Sequence, residues 1–308
     1  VDGVSFHVVD GEVFSLLGPN GAGKSTVINV LTTLLPLQEG HVTLAGCDLA
    51  TQPACVRRSI GIVFQEVTLD RDMTCREILD FHGRLYRMDK RERQSRTGEL
   101  LSLVELDEWA DTLTKHLSGG MKRRLEIARG LMTRPRILFL DEPTIGLDPQ
   151  TRRKIWDYIR NVNREGTTIV LTTHYMDEAD RLSNRISIMD RGRIIVTGEG
   201  WELKNRLGQD LIYLETSDDT RAGEVLSKAP GVESVQGKAH GLLAMVREDG
   251  THLLPALMAD LQGAGIRVQT VNLKKPSLED VFLYYTGRDL RDGGVGNEKR
   301  AAIHPVGR

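Results

Sequence analysis

The stretch Gly18-Pro19-Asn20-Gly21-Ala22-Gly23-Lys24-Ser25-Thr26 has the residue types and spacing of a phosphate-binding loop. Its glycines let successive backbone N–H groups curl around phosphate oxygens that a Cβ would hold away. A helix starting near Gly23 adds its positive end. In this spacing Lys24 reaches the β- and γ-phosphates of a nucleotide, and the Ser25 hydroxyl is a ligand for Mg2+. A second constellation, Asp141-Glu142, follows the apolar run Ile137–Leu140. A carboxylate at a strand end beneath a phosphate loop can hold Mg2+ or its water, which suits Asp141. The next carboxylate, Glu142, can accept a proton from an attacking water. A helix cap is the plainer reading of an acidic pair, and Pro143-Thr144 directly behind it argues against that here.

A third stretch, Leu117-Ser118-Gly119-Gly120-Met121, starts a helix whose face carries Met121, Leu125, Ala128 and Met132. Ser118 can cap that helix, leaving the Gly119 and Gly120 N–H groups as a second anion site. Roughly 20 residues separate it from Asp141, so it cannot easily fold back onto the same phosphate loop. A second phosphate site facing away implies a second molecule.

In order and spacing these motifs, with Gly146-Leu147-Asp148 and with His174 after Thr172-Thr173, resemble the ABC (ATP-binding cassette) ATPase family over roughly residues 1–207. Gln65 falls where that family carries its Q-loop glutamine. The resemblance implies a head-to-tail homodimer. In it two ATP molecules, each with Mg2+, are sandwiched between the phosphate loop of one chain and the signature Ser118-Gly119-Gly120 of the other. It further implies that Ser118 and Gly120 touch the γ-phosphate held by the partner chain. Gln65 would sense Mg2+ and the attacking water, Asp148 would cross the dimer interface, and His174 would hold the γ-phosphate during hydrolysis. Met121 in place of the usual glutamine, Lys122-Arg123-Arg124 behind it and a late Pro276-Ser277-Leu278-Glu279-Asp280-Val281-Phe282 stretch resemble the daunorubicin/doxorubicin-resistance type of exporter ATPase. That implies a separate transmembrane permease subunit, a peripheral place on the cytoplasmic face of a bacterial membrane, and drugs or other hydrophobic compounds as cargo. One feature departs from the family pattern. Family members carry an adenine-stacking aromatic upstream of the loop, but here only 17 residues precede Gly18, and Phe6 and Phe14 read as core. Weaker nucleotide affinity than in a chain extended upstream is therefore expected.

These residues need a scaffold that brings strand ends together. Val4, Phe6 and Val8 alternate, Asp10-Gly11 turns, and Val13–Leu17 follows, which predicts a β-hairpin. Further short apolar runs at Val42–Leu44, Ile60–Phe64, Ile137–Leu140, Thr168–Thr172 and Ile186–Met189 alternate with helical patterns. The fold class is therefore α/β: a P-loop NTPase cassette with a mostly parallel core sheet, N-terminal antiparallel strands and a helical insertion at about 66–135. After Gly208 the pattern becomes βαββαβ, the order of a small ferredoxin-like α+β module. The expected division is 1–207 for the ATPase domain and 208–287 for the accessory domain, with 288–308 a mobile tail. Ser277 with Asp280 predicts a capping box for a last helix.

The 308 residues, 40% apolar and 27% charged, are enough for a large core and a smaller one. A net charge of −2 argues against nucleic acid as the main partner. No apolar run approaches the roughly 20 residues that cross a bilayer. The three cysteines show no Cys-x-x-Cys spacing and read as thiols. The basic run Arg84, Arg87, Lys90, Arg91, Arg93, Arg96 reads as a solvated helix face. Tandem cassettes of the ribosome-associated kind would need two phosphate loops, and this sequence has one. Chromosome-maintenance ATPases would place long heptads between loop and signature. Here Lys24 and Ser118 stand only 94 positions apart, without heptads. A regulator without turnover would be expected to lack Glu142 or His174, and both are present.

Overall fold

The computed structural model describes residues 1–208, 210–238, 240–247 and 249–286, so the tail expected at 288–308 lies outside the described residues. The chain enters β1 (Val13–Leu17), buried along its whole length, and runs through the glycine loop into α1 (Lys24–Leu31). A short antiparallel pair, β2 (Thr43–Leu44) and β3 (Cys47–Asp48), and α2 (Pro53–Ser59) lead to β4 (Ile60–Val63). Three helices follow: α3 (Cys75–Leu85), α4 (Lys90–Leu103) and α5 (Gly119–Gly130). Local chemistry starts each one. Thr74 and Glu77 form a reciprocal capping box, Asp89 accepts from the Arg91 and Glu92 N–H groups, and Ser118 accepts from Met121. Then come β5 (Ile137–Asp141), α6 (Pro149–Arg164), β6 (Thr168–Thr173), α7 (Met176–Leu182), β7 (Arg185–Asp190), β8 (Arg193–Gly198) and α8 (Gly200–Asn205).

The sheet order is β4-β5-β6-β1-β7-β8, parallel except for β8. Helices α1 and α2 cover one face through Phe14, Leu16, Phe139 and Val170. Helices α5 and α6 cover the other through Leu138, Leu140, Ile169 and Leu171. Coverage on both faces is why these strands read as continuous apolar runs. The parallel register aligns Leu17 with Thr173, Asp141 with Thr172 and Val63 with Leu140. The loops that leave the carboxyl ends of β1, β4, β5 and β6 therefore emerge side by side, where open α/β sheets bind ligands.

Three sequence expectations change. Residues 4–9 form no strand, although Val4, Phe6 and Val8 do pack on the core and Phe6 stacks on Phe14. The alternation is real, but β1 has no free edge for a hairpin partner, because β6 and β7 occupy both. Cys47 and Cys55, read as thiols, are joined as a disulfide between β3 and α2, while Cys75 is free and buried. The basic run is only partly a solvated face. Arg93 turns inward to Asp80 at 2.8 Å and the Met88 carbonyl, and Arg96 reaches Glu99 and the Leu131 carbonyl.

The remaining chain builds a second sheet from β9 (Asp210–Thr216), α9 (Asp219–Leu226), β10 (Val232–Gly237), β11 (Leu242–Val246), α10 (Gly250–Gly263) and β12 (Val268–Lys274), closed by α11 (Leu278–Thr286). Its order β10-β11-β9-β12, all antiparallel, is the ferredoxin-like arrangement. The Ser277–Asp280 capping box is present, each residue bonding the other's backbone N–H. Ile212, Leu214, Ala244 and Val246 face α9 and α10. Leu211, Leu243 and Met245 face the other way and share a cluster with Leu17, Ile186, Ile188, Val281 and Phe282. That cluster joins the two sheets.

Candidate functional site

Glycine is required in the loop after β1 for reasons the backbone makes explicit. A Cβ on Gly18 would lie 2.1 Å from the Met189 carbonyl oxygen, and Gly21 and Gly23 hold φ of 78° and 102°. The loop then delivers Lys24 at the first turn of α1, 5% exposed. Its ammonium donates to the Gly18 carbonyl at 2.7 Å and the Pro19 carbonyl at 3.1 Å, and meets Glu142 Oε1 at 3.2 Å. Asn20, Ala22 and Thr26 complete the loop and its first helical turn.

Beside Lys24, Ser25 Oγ donates to Asp141 Oδ1 at 3.2 Å, and Thr172 Oγ1 donates to the same oxygen. A hydroxyl and a carboxylate side by side at the mouth of a phosphate loop are oxygen donors of the kind Mg2+ takes, with nucleotide oxygens and water completing the shell. The residues present therefore fit MgATP.

Glu142 is 4% exposed and sits just past β5 with φ 49°, an unusual conformation for a side-chain-bearing residue. Its N–H donates to the Thr172 carbonyl at 3.1 Å, which fixes the turn against β6. The carboxylate is held from both sides, by Lys24 on Oε1 and by His174 Nδ1 on Oε2 at 2.7 Å. Burial opposes its ionisation, but the His174 hydrogen bond and the charge of Lys24 together prevail, so its pKa lies below the ordinary glutamate value. Lys24, Glu142 and His174 thus form one connected chain, and Ser25 and Asp141 a second pair next to it.

The other sequence-predicted residues are not part of that cluster. Gln65 follows β4, is exposed, and makes no side-chain hydrogen bond among the described residues. Ser118 and Gly119 are exposed at the start of α5. A Cβ on Gly120 would lie 2.5 Å from the Thr151 methyl group, so glycine is what lets α5 approach α6. A polar cleft of about 220 Å³ lies there, lined by Ser118, Gly120, Arg124, Gln150, Thr151 and Lys154. Asp148 caps α6, accepting from the Gln150 and Thr151 N–H groups at 3.0 Å, and the Thr151 hydrogen bonds hold its pKa low.

Glu178 and Arg123, both buried, were given no role in the site by the sequence. Glu178, on α7, accepts from Thr144 Oγ1 at 2.7 Å and Trp156 Nε1 at 2.9 Å, and burial raises its pKa. Arg123, on α5, is 4% exposed and reaches the turn that carries Glu142. Within a run of three basic residues it carries no sequence signal of burial.

The sequence pattern of a family described as "ABC transporter" matches residues 1–145. A second, described as "ATP-binding protein DrrA1-3-like, C-terminal domain", matches residues 198–286. The chain is 39% identical over 291 residues to the daunorubicin resistance ATP-binding protein DrrA3 of Streptomyces coeruleorubidus, covering 94% of this chain and 92% of that one. It is 40% identical over 295 residues to the Nod factor export ATP-binding protein I of Burkholderia thailandensis, covering 95% and 93%. Among solved structures, the dimeric post-hydrolysis state of the ATP-binding cassette MJ0796 bound to ADP and Pi aligns with a TM-score of 0.58 and 32% identity. That alignment covers 64% of this chain and 88% of that one.

Proposed function

This chain belongs to the ABC transporter family, as one of its ATP-hydrolysing ATP-binding subunits, and on that premise we propose that it powers a membrane exporter as half of a head-to-tail dimer sandwiching two MgATP. The observation that carries the proposal is the pairing of a complete charge chain, Lys24–Glu142–His174, with a signature stretch exposed on a different helix. The first supplies what hydrolysis needs at one phosphate loop. The second offers free N–H groups that its own chain leaves uncapped apart from Met121.

In this reading residues 18–26 wrap the phosphates, and Ser25, Asp141 and Gln65 would hold Mg2+, which would supply positive charge against the transferring phosphoryl group. Lys24 exchanges its contact with Glu142 for the γ-phosphate. Glu142, already ionised, then accepts the proton of the attacking water. His174 keeps the carboxylate aimed and meets the γ-phosphate on its exposed side. Ser118, Gly119 and Gly120 of a second copy close the site from above, and Asp148 meets that copy at the interface. Residues 1–207 form the ATPase in this account and 208–287 an accessory domain.

Among the described residues no helix is long and apolar enough to cross a membrane. The proposed transport path belongs to a separate permease, with this chain on the cytoplasmic face. Drugs or other hydrophobic compounds are the proposed cargo, and no nucleic-acid partner is expected. The test is a pull-down of tagged Glu142→Gln chain from detergent-solubilised membranes in MgATP. A multi-span membrane protein should copurify. Ribosomes or DNA-repair proteins in its place would overturn the exporter reading and leave the ATPase standing.

A further inference from the structure

The guanidinium of Arg123 offers five N–H donors in a rigid fork, and in this structure each has an acceptor. Nε donates to the Pro143 carbonyl at 2.7 Å. Nη1 donates to the Phe64 carbonyl and to Glu126 Oε2, the latter at 3.2 Å. Nη2 donates to the Asp141 carbonyl at 3.2 Å and the Glu142 carbonyl at 2.8 Å. Three consecutive carbonyls, of Asp141, Glu142 and Pro143, converge on one cation because the left-handed turn at Glu142 swings them to the same side. The Glu142 carbonyl also accepts from the Ile145 N–H at 3.2 Å, and leaving such a buried cluster short of donors would be costly.

The same helix holds the segment around Gln65 at two points. Phe64, immediately before it, gives its carbonyl to Arg123. Thr68, three residues after it, donates its N–H to Glu126 at 2.8 Å and receives Arg129 Nη2 on its hydroxyl at 2.8 Å. Glu126 in turn pairs with Arg123. The helix that begins with Ser118-Gly119-Gly120 therefore grips both the Gln65 loop and the Glu142 turn through buried charged groups. A backbone anchored this way moves with the helix.

We propose that Arg123 is a positioning residue for hydrolysis, fastening the signature helix to the Glu142 turn so that the aim of the carboxylate follows where that helix sits. The proposal rests on Glu142 being the group that activates water. Arg123 touches no substrate. It converts docking of the signature on nucleotide into alignment of Glu142 and, through Phe64, of Gln65. An apolar core residue would fill the same space without linking the three segments. A lysine would keep the charge but reach only part of the carbonyl fan.

The test compares the full chain with Arg123→Lys, Arg123→Met and Glu142→Gln. It measures kcat and KM for MgATP, equilibrium affinity for a non-hydrolysable ATP analogue, and the folded fraction of each. The phosphate loop is untouched by the Arg123 changes, so analogue affinity should stay within about twofold, while misaiming a reacting group by about 1 Å costs about a hundredfold in rate. The expected result is a kcat loss approaching that size in Arg123→Met, a smaller loss in Arg123→Lys, and KM little changed in both. Lysine rescuing part of the rate at equal folded fraction supports positioning. A wild-type kcat in Arg123→Lys, or losses in both variants that merely follow the folded fraction, would overturn the proposal. Arg123→Met failing to fold leaves Arg123→Lys to decide. Full turnover in Glu142→Gln would instead overturn the reading of Glu142 on which the proposal stands, a different failure from an unaffected Arg123→Lys.

Discussion

The glycine loop and the signature stretch are both helix starts suited to phosphate, yet the chain finishes them in opposite ways. At α1 the lysine and glutamate side chains are enclosed. Lys24 and Glu142 are each about 5% exposed and bonded to one another, and His174 closes the far side of the carboxylate. At α5 the cap is local, the Ser118 hydroxyl accepting from the Met121 N–H, and Ser118 and Gly119 face solvent. On the proposed reading the first region is the hydrolytic centre and the second a phosphate-reading surface for another copy. The difference teaches that Lys24, Glu142 and His174 are held together within one chain, whereas the start of α5 is left facing solvent.

The comparison breaks most sharply at Glu142. Glu142→Gln should lower the rate of phosphate release by about a thousandfold while leaving MgATP binding intact, since the phosphate loop and Ser25 are unchanged. Loss of binding in equal measure would mean that Glu142 shapes the pocket instead of acting on water. On the signature side, Gly120→Ala should destabilise the α5–α6 contact by about 1–3 kcal/mol, read by thermal unfolding. Thr151→Ser, which removes the methyl group 2.5 Å from the added Cβ, should recover much of it. No recovery would show that Gly120 is constrained by something other than Thr151.

A third prediction concerns pH. The Glu142 pKa lies below the ordinary glutamate value of 4.5, so its ionised form is present above that lowered pKa and is lost as pH falls through it. The acid limb of kcat/KM, which reports the free enzyme, should therefore lie below the usual glutamate range. His174→Ala removes a hydrogen bond and leaves burial to act with less opposition, so the limb of the residual activity should move to higher pH. An unmoved limb would detach His174 from the carboxylate. The smallest effect belongs to the cap. Ser118→Ala should cost about 1 kcal/mol of stability, whereas Ser118→Asp, which can still cap, should cost little by the same thermal measurement.

Much of the proposed hydrolytic centre could be read from the sequence because its parts are local. The glycine spacing at 18–23 and the acidic pair directly after the apolar run Ile137–Leu140 each state their geometry within a few residues. The ferredoxin-like order was legible for the same reason, through alternating short strands and helices. What escaped was set by distant partners. The alternation of Val4, Phe6 and Val8 could not reveal that β6 and β7 already occupy both edges of β1. β8 was missed because Arg193, Thr197 and Gly198 break up a short apolar run on an edge strand. Arg123 sits between Lys122 and Arg124, and only the folded turn at Glu142 shows three carbonyls gathered around it. Asp148 shows the converse. Its position in the sequence motif is clear, while in the single chain its contacts are those of a helix cap.

The central claim is that the signature of one copy completes the phosphate site of another. It is tested most directly by measuring the mass in solution of Glu142→Gln chain, by light scattering, with and without MgATP, beside the double variant carrying Ser118→Asp. The aspartate keeps the cap of α5 and sets a negative charge where the γ-phosphate of a second copy would dock. The account predicts that the Glu142→Gln mass doubles in MgATP and that the double variant binds nucleotide but stays a single chain. A Glu142→Gln chain that remains single at saturating MgATP, or a dimer that forms equally with Ser118→Asp, would contradict it.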